Sequence, residues 1–124
     1  MSSLRPTVLY IDDQIDHSRV VGDYLTVRGL DVMFAFDGQR AVQILDNTKV
    51  DLIFLDLHMP KMNGKEFLKY LSQKKIKTAV IVITGYPNEI SSLEDGAFEI
   101  AGFFDKPVHL EELFEQTKRI LGLG

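Results

Sequence analysis

The sequence contains no cysteine in its 124 residues. Disulfide bonds and thiolate chemistry are therefore excluded, which is consistent with a reducing compartment. The amino terminus has no basic segment followed by a long apolar run, and no stretch approaches the roughly 18 uninterrupted apolar residues of a membrane-spanning helix. We therefore expect a cytoplasmic protein that does not associate with membranes.

A cluster of basic residues is also missing, and the net charge is −4 at pH 7. Direct binding to the phosphates of nucleic acids is therefore disfavoured for this chain. Hydrophobic residues make up 45% and charged residues 26% of the sequence, which is typical of a globular protein. The length fits one core, so we expect residues 1–124 to form a single domain.

Five short runs rich in β-branched and apolar residues predict strands. They are Thr7–Ile11, Asp31–Phe36, Leu52–Leu55, Ala79–Thr84 and Gly102–Phe104. Between and after them, apolar residues at helical spacing predict five helices. The first helix ends at Gly29, the second contains Ala41–Leu45 and the third contains Phe67–Leu71. The fourth, Asn88–Ala97, has few apolar anchors, whereas the fifth, Leu110–Leu121, is clearly amphipathic.

Strict alternation of strands and helices, with strands that read as continuous hydrophobic runs, predicts a parallel sheet covered on both faces. The expected fold is α/β: a doubly wound, five-stranded, flavodoxin-like sheet in the order 2-1-3-4-5. In such a sheet ligands bind at the carboxyl ends of the strands. The winding direction reverses between strands one and three, so the ligand site is expected there.

Chemically active side chains follow four of the five predicted strands. Asp12 and Asp13 follow the first strand, Asp56 the third and Lys106 the fifth, while Thr84 ends the fourth. Each alone could be a helix cap, a turn residue or a solvated cation, but those explanations do not account for their common placement. Clustered carboxylates usually hold a cation or a catalytic proton. With oxygen ligands and no cysteine or paired histidine, Mg²⁺ is favoured over zinc.

These residues lie in the motifs "YIDDQ", "LDLHMPKMNG", "VITG" and "FFDKP". In them the sequence resembles the receiver domain of two-component response regulators, the CheY-like superfamily, from Thr7 to Leu121. The resemblance implies a signalling phosphoacceptor that assists its own phosphorylation and dephosphorylation, rather than an enzyme acting on other molecules. The implied partners are a histidine kinase or phosphotransfer protein as the donor, and a downstream target or output domain. No output domain is expected within the 124 residues.

The resemblance also assigns roles at the metal site. Asp56 is the implied phosphoacceptor, which receives its phosphoryl group from a phosphohistidine. Asp13, Asp56 and the main-chain carbonyl of His58 are the implied ligands of Mg²⁺, or alternatively Mn²⁺, and Asp12 acts through water. Carboxylate attack on phosphorus then depends mainly on electrostatic stabilisation.

Other roles implied by the resemblance concern the phosphoryl group and the switch. Thr84 and Lys106 are implied to bind the phosphoryl oxygens, and a cis peptide is implied between Lys106 and Pro107. Thr84 and Phe103 are the implied switch residues, which change the surface of the fourth predicted helix, fifth strand and fifth predicted helix. For Phe103, the alternative is an ordinary aromatic residue at the sheet edge.

Two positions next to the motifs are candidates for control of hydrolysis. His58 lies two residues beyond Asp56, and Tyr86 lies two beyond Thr84. We hypothesise that these two side chains limit water access and lengthen the life of the acyl phosphate; a solvated loop residue is the alternative for His58. His17 and His109 are expected to lie outside the cluster.

Three other functions share parts of this pattern. A flavodoxin-like carrier would have the same fold, but the acidic "DDQID" after the first strand would repel a flavin phosphate. A phosphatase with an aspartyl nucleophile needs a second acid where His58 stands. A receiver-like adaptor that is not phosphorylated is disfavoured by the complete set of motif residues.

Overall fold

Strands and helices alternate along the described residues 5–59, 61–93 and 100–123 of the computed structural model. The strands are β1 (Thr7–Ile11), β2 (Asp31–Ala35), β3 (Leu52–Leu55), β4 (Ala79–Thr84) and β5 (Gly102–Asp105). They form one parallel sheet in the order β2-β1-β3-β4-β5, which confirms the predicted topology.

The helices are α1 (Ile15–Val27), α2 (Gly38–Asn47), α3 (Gly64–Gln73) and α4 (Leu110–Leu121). Between β4 and β5 lies a 3-10 helix, Pro87–Leu93, where the start of an α-helix was predicted. The α-helical assignment is thus wrong for the described part of that segment, whose serines have modest helix propensity, although seven residues is long for 3-10 geometry. The rest of the predicted helix, residues 94–99, lies outside the described residues. No described helix has the length and apolar character needed to cross a membrane.

Helices cover both faces of the sheet, and each face has its own hydrophobic core. In β1, Leu9 and Ile11 point towards α2 and α3, whereas Val8 and Tyr10 point towards α1 and α4. The central strand β3 is buried along its whole length. Each fully buried aliphatic or aromatic side chain of this kind contributes about 1.5–3 kcal/mol to folding. The residues that follow β1 and β3 therefore start from rigid supports.

The start of α3 packs directly against the end of β3. A Cβ atom on Gly64 would lie 2.7 Å from Leu57 Cα and 2.9 Å from the carbonyl oxygen of Asp56. The Gly64 amide donates to the Leu57 carbonyl at 3.1 Å. Asn63 and Glu66 then close a reciprocal capping box at the start of α3. Glycine is required here for the close approach of two backbones, which fixes the position of Asp56.

Candidate functional site

The sheet itself holds the motif residues in place. The Asp12 amide donates to the Ala35 carbonyl at 3.0 Å, and the Asp56 amide donates to the Ile11 carbonyl at 2.9 Å. The Lys106 amide donates to the Thr84 carbonyl at 2.9 Å. Hydrogen bonding between neighbouring strands thus continues beyond their ends, so the backbone of the first residue after each of these strands is anchored to the sheet.

Three carboxylates meet at this edge, as the sequence predicts. One oxygen each from Asp12, Asp13 and Asp56 lies within 4.8 Å of the others. Asp12 and Asp56 are buried, whereas Asp13 is exposed. The Lys106 ammonium lies 2.7 Å from Asp12 Oδ2 and 3.4 Å from Asp56 Oδ2. The arrangement therefore places three acids against one nearby cation.

The chemistry of these groups fits Mg²⁺. Asp12 Oδ2 is buried and makes no hydrogen bond among the described residues, although it is close enough to Lys106 for an ion pair. The clustered oxygens are hard ligands, and the carboxylates outnumber the ammonium. A small divalent cation would offset the excess negative charge without a soft ligand. The cluster can therefore hold Mg²⁺ directly or through water.

The surroundings of Asp56 hold its carboxyl pKa above the usual range. Burial is the largest cause and repulsion from Asp12 the second, while Lys106 and the amide hydrogen of His58 oppose them. The net result is a pKa of about 6. The His58 amide is 3.2 Å from Asp56 Oδ1. Ionised Asp56 is thus a high-energy group that a nearby positive charge would stabilise.

An open cleft of about 410 Å³ leads to this cluster. It is lined by Asp13, Gln14, Asp56, His58, Met59, Gly85, Tyr86 and Lys106. Thr84 ends β4 beside the cleft but is fully buried, and its hydroxyl oxygen accepts a hydrogen bond from the Tyr86 amide at 3.0 Å. The Thr84 side chain is therefore not exposed to the cleft, although its hydroxyl hydrogen is still available to donate.

His58 and Tyr86 meet at the mouth of the cleft. Their rings stack with centroids 4.0 Å apart and an angle of 23° between the planes. His58 Nε2 also lies 2.5 Å from Glu89 Oε1 on the 3-10 helix. The sequence singled out the two rings separately, but it gave no indication that they are in contact or that Glu89 joins them.

Two polar residues of the site were missed or misplaced by sequence reasoning. Gln14 Oε1 accepts a hydrogen bond from the Lys106 ammonium at 2.7 Å. His17 Nδ1 lies 3.6 Å from Asp12 Oδ2, so the expectation that His17 is outside the cluster is wrong. Burial lowers the His17 pKa, and Lys106 lowers it further. Proximity in sequence could have indicated both residues, because Gln14 directly follows the acidic pair and His17 is in the first turn of α1.

The remaining predicted residues lie around β5. The Lys106–Pro107 peptide is cis, as the resemblance implies. Phe103 pairs with Val82 of β4, and its side chain is 43% exposed. His109 is the exposed residue before α4. Phe103 is therefore on the surface, some distance along β5 from the acidic cluster.

Comparison with known proteins agrees with this site. The profile of the response regulator receiver domain matches residues 8–118. The chain belongs to this family of signalling domains, which are the receivers of two-component systems.

Curated relatives include longer regulators. The transcriptional regulatory protein CpxR of Klebsiella pneumoniae is 35% identical over 117 residues, which cover 92% of this chain and 48% of CpxR. The transcriptional regulatory protein CiaR of Streptococcus pneumoniae is 35% identical over 118 residues, covering 92% of this chain and 50% of CiaR. The chain thus spans about half the length of these curated relatives.

Solved receiver structures share the fold over nearly the whole chain. The receiver domain of an HD domain-containing protein from Pseudomonas fluorescens has a TM-score of 0.87 and 28% identity, covering 95% of both chains. The response regulator TrrA of Thermotoga maritima, solved in complex with Mg²⁺ and BeF, has a TM-score of 0.83 and 26% identity. That match covers 94% of this chain and 99% of TrrA.

Proposed function

We propose that this receiver domain accepts a phosphoryl group on Asp56 from a phosphohistidine, in a reaction that depends on Mg²⁺. The supporting observation is the position of the buried Asp56 carboxylate, which lies beside two further carboxylates and the Lys106 ammonium at an open cleft. Burial and repulsion from Asp12 raise the Asp56 pKa, and a positive charge near this carboxyl would favour its ionised form.

The transfer is an in-line displacement. A carboxylate oxygen of Asp56 forms a bond to phosphorus while the bond from phosphorus to the donor imidazole nitrogen breaks, and its electron pair stays on that nitrogen. Asp13, Asp56 and the main-chain carbonyl of His58 would hold Mg²⁺, or Mn²⁺ in its place, and Asp12 would act through water. When bound, the ion supplies positive charge that offsets the phosphoryl oxygens. Lys106 exchanges its Asp56 contact for a phosphoryl oxygen.

Phosphorylation then switches the surface. The Thr84 hydroxyl, which accepts from the Tyr86 amide, reorients to donate to a phosphoryl oxygen. Movement of this segment releases space into which Phe103 turns from its exposed position. The surface altered in this way consists of the 3-10 helix, β5 and α4. The shift in population between the two states of this surface is limited by how much more favourably the phosphoryl group is bound in one state than in the other.

The stacked rings of His58 and Tyr86 influence how long the phosphoryl group persists. Both line the cleft that leads to Asp56, so a water molecule approaching phosphorus has to pass them. Their bulk restricts that approach and slows hydrolysis.

Residues 1–124 act as a single receiver domain, whose partners are proteins. A histidine kinase or phosphotransfer protein donates the phosphoryl group, and a target protein or an output domain reads the altered surface. The site is expected to work in the cytoplasm, without direct contact to nucleic acid, because the net charge is −4 and no basic cluster is present.

Incubation with Mg²⁺ and acetyl phosphate, followed by intact mass spectrometry, tests the proposal. The wild type should gain one phosphoryl group, and both EDTA and the substitution Asp56→Asn should abolish the gain. Asp51→Asn serves as a matched control, since Asp51 is an exposed aspartate before β3 and outside the cleft. An unmodified wild type, or an adduct that persists in Asp56→Asn, would refute the assignment.

A further inference from the structure

Side chains from two different segments meet at the mouth of the cleft. His58 belongs to the loop after β3, and its amide donates to Asp56 Oδ1 at 3.2 Å. Tyr86 belongs to the segment after β4, and its amide donates to Thr84 Oγ1 at 3.0 Å. The backbone of each residue is thus tied to a motif residue. Their rings, stacked at 4.0 Å, bridge the two segments.

Stacking alone leaves the His58 ring able to rotate about its side-chain bonds. His58 is 49% exposed at its side chain, so the protein interior does not confine the ring. The contact that defines its orientation is from Nε2 to Glu89 Oε1, at 2.5 Å. A carboxylate can only accept, so Nε2 carries the proton and donates it. Tyr86 therefore contacts one face of the His58 ring while Glu89 contacts one edge.

The 3-10 helix brings Glu89 to this position. The Glu89 amide donates to the Tyr86 carbonyl at 3.0 Å, which closes the first turn of the helix. Glu89 and Tyr86 are therefore held close to one another, and the Glu89 carboxylate reaches the edge of the His58 ring. The pair of contacts made by His58, to Tyr86 and to Glu89, depends on this one turn.

From this geometry we propose that Glu89 is a positioning residue that holds the His58 ring on Tyr86 and thereby slows hydrolysis of the phosphoryl group on Asp56. The inference rests on the proposed phosphorylation of Asp56. In the hydrolysis step a water oxygen bonds to phosphorus as the bond to the Asp56 oxygen breaks. The carboxylate keeps the electron pair, inorganic phosphate leaves and a water proton passes to solvent. Glu89 touches none of these atoms and acts through His58.

Dephosphorylation of purified, phosphorylated protein in Mg²⁺ tests the proposal. Glu89→Ala should raise the hydrolysis rate constant about threefold, since exposed charged contacts bias a side chain only modestly. Glu89→Gln should stay near the wild-type rate, because the amide oxygen still accepts from Nε2. Asp23→Ala is the control: it removes an exposed acid on α1, outside the cleft and outside the surface proposed to switch. A rate for Glu89→Ala equal to that of Asp23→Ala overturns the proposal.

A double-mutant cycle separates positioning from a general effect on stability. In a His58→Ala background, Glu89→Ala should cause no further increase in rate, because the ring that Glu89 holds is gone. An undiminished threefold effect in that background would also overturn the proposal. The Asp56→Asn protein should release no phosphate in this assay. It therefore serves as the control for phosphate released from positions other than Asp56.

A measurement on unphosphorylated protein keeps the two proposals distinguishable. In NMR spectra, the ring protons of His58 should be shifted upfield by the Tyr86 ring. Glu89→Ala should move them towards free histidine values, whereas Asp23→Ala should not. If the wild type takes no phosphoryl group, the proposed function fails and this shift still tests the positioning. If phosphorylation succeeds but the shift is the same in Glu89→Ala, the positioning role fails alone.

Discussion

The residue at the centre of the site, Asp56, is held in surroundings that disfavour its charge. Its carboxyl pKa is raised from 3.8 to about 6 by burial and by Asp12, despite the nearby Lys106. In the folded protein Asp56 therefore binds a proton at higher pH than it does in the unfolded chain. The contribution of Asp56 to the free energy of unfolding therefore falls as the pH rises through the range between these two values. The function proposed for Asp56 thus opposes stability.

Asp56→Asn should accordingly stabilise the protein when a chelator is present. The gain should be small near pH 4, grow as the pH rises to about 6 and then stay constant at no more than about 3 kcal/mol. Urea unfolding in EDTA at pH 4.5 and pH 7.5 measures it. Asp23→Asn, which changes an exposed aspartate of α1, is the control. A difference between Asp56→Asn and the wild type that is equal at both pH values would contradict the assigned cause.

At the scale of elements, the strands were predictable and the fourth helix was not. All five strands were placed within one residue of their observed ends, because continuous apolar runs between helical segments have few other solutions. The segment after β4 offers weak local signals, so its 3-10 geometry depends on packing that the sequence pattern does not reveal. The same applies to the close approach of Gly64 to Leu57, which also depends on packing.

Gly64→Ala tests the close packing of α3 against β3. Alanine has a higher helix propensity than glycine by about 1 kcal/mol, but its Cβ would lie 2.7 Å from a backbone carbon of Leu57. The clash should dominate and lower the free energy of unfolding by about 1–3 kcal/mol, as measured in urea. Gly102→Ala is the control, because the nearest atom to its added Cβ, apart from those of the two adjoining residues, belongs to the flexible Gln116 side chain at 3.5 Å. Equal stability of Gly64→Ala and the wild type would show that the two backbones can separate at no cost.

For the whole molecule, the acidic cluster should couple metal binding to folding. Mg²⁺ that binds only the folded state raises the free energy of unfolding, by about 2.7 kcal/mol at a hundred times the dissociation constant. We expect the midpoint of thermal unfolding to rise with Mg²⁺ at constant ionic strength, and the rise to be much smaller in Asp13→Ala. Asp13 is chosen because its side chain is exposed, so its removal leaves no buried cavity. The same rise with K⁺ alone, or in Asp13→Ala, would speak against a site at this cluster.

The sequence by itself determined the α/β class, the strand order and the set of motif residues that face one another. The reason is topological: parallel strands deliver whatever follows them to one edge of the sheet. Only the tertiary structure decided which side chains from other elements join that edge. Gln14, His17 and Glu89 reach Lys106, Asp12 and His58 through contacts whose distances depend on how α1 and the 3-10 helix pack. Such packing is set by side-chain fit across elements, which no local sequence pattern encodes.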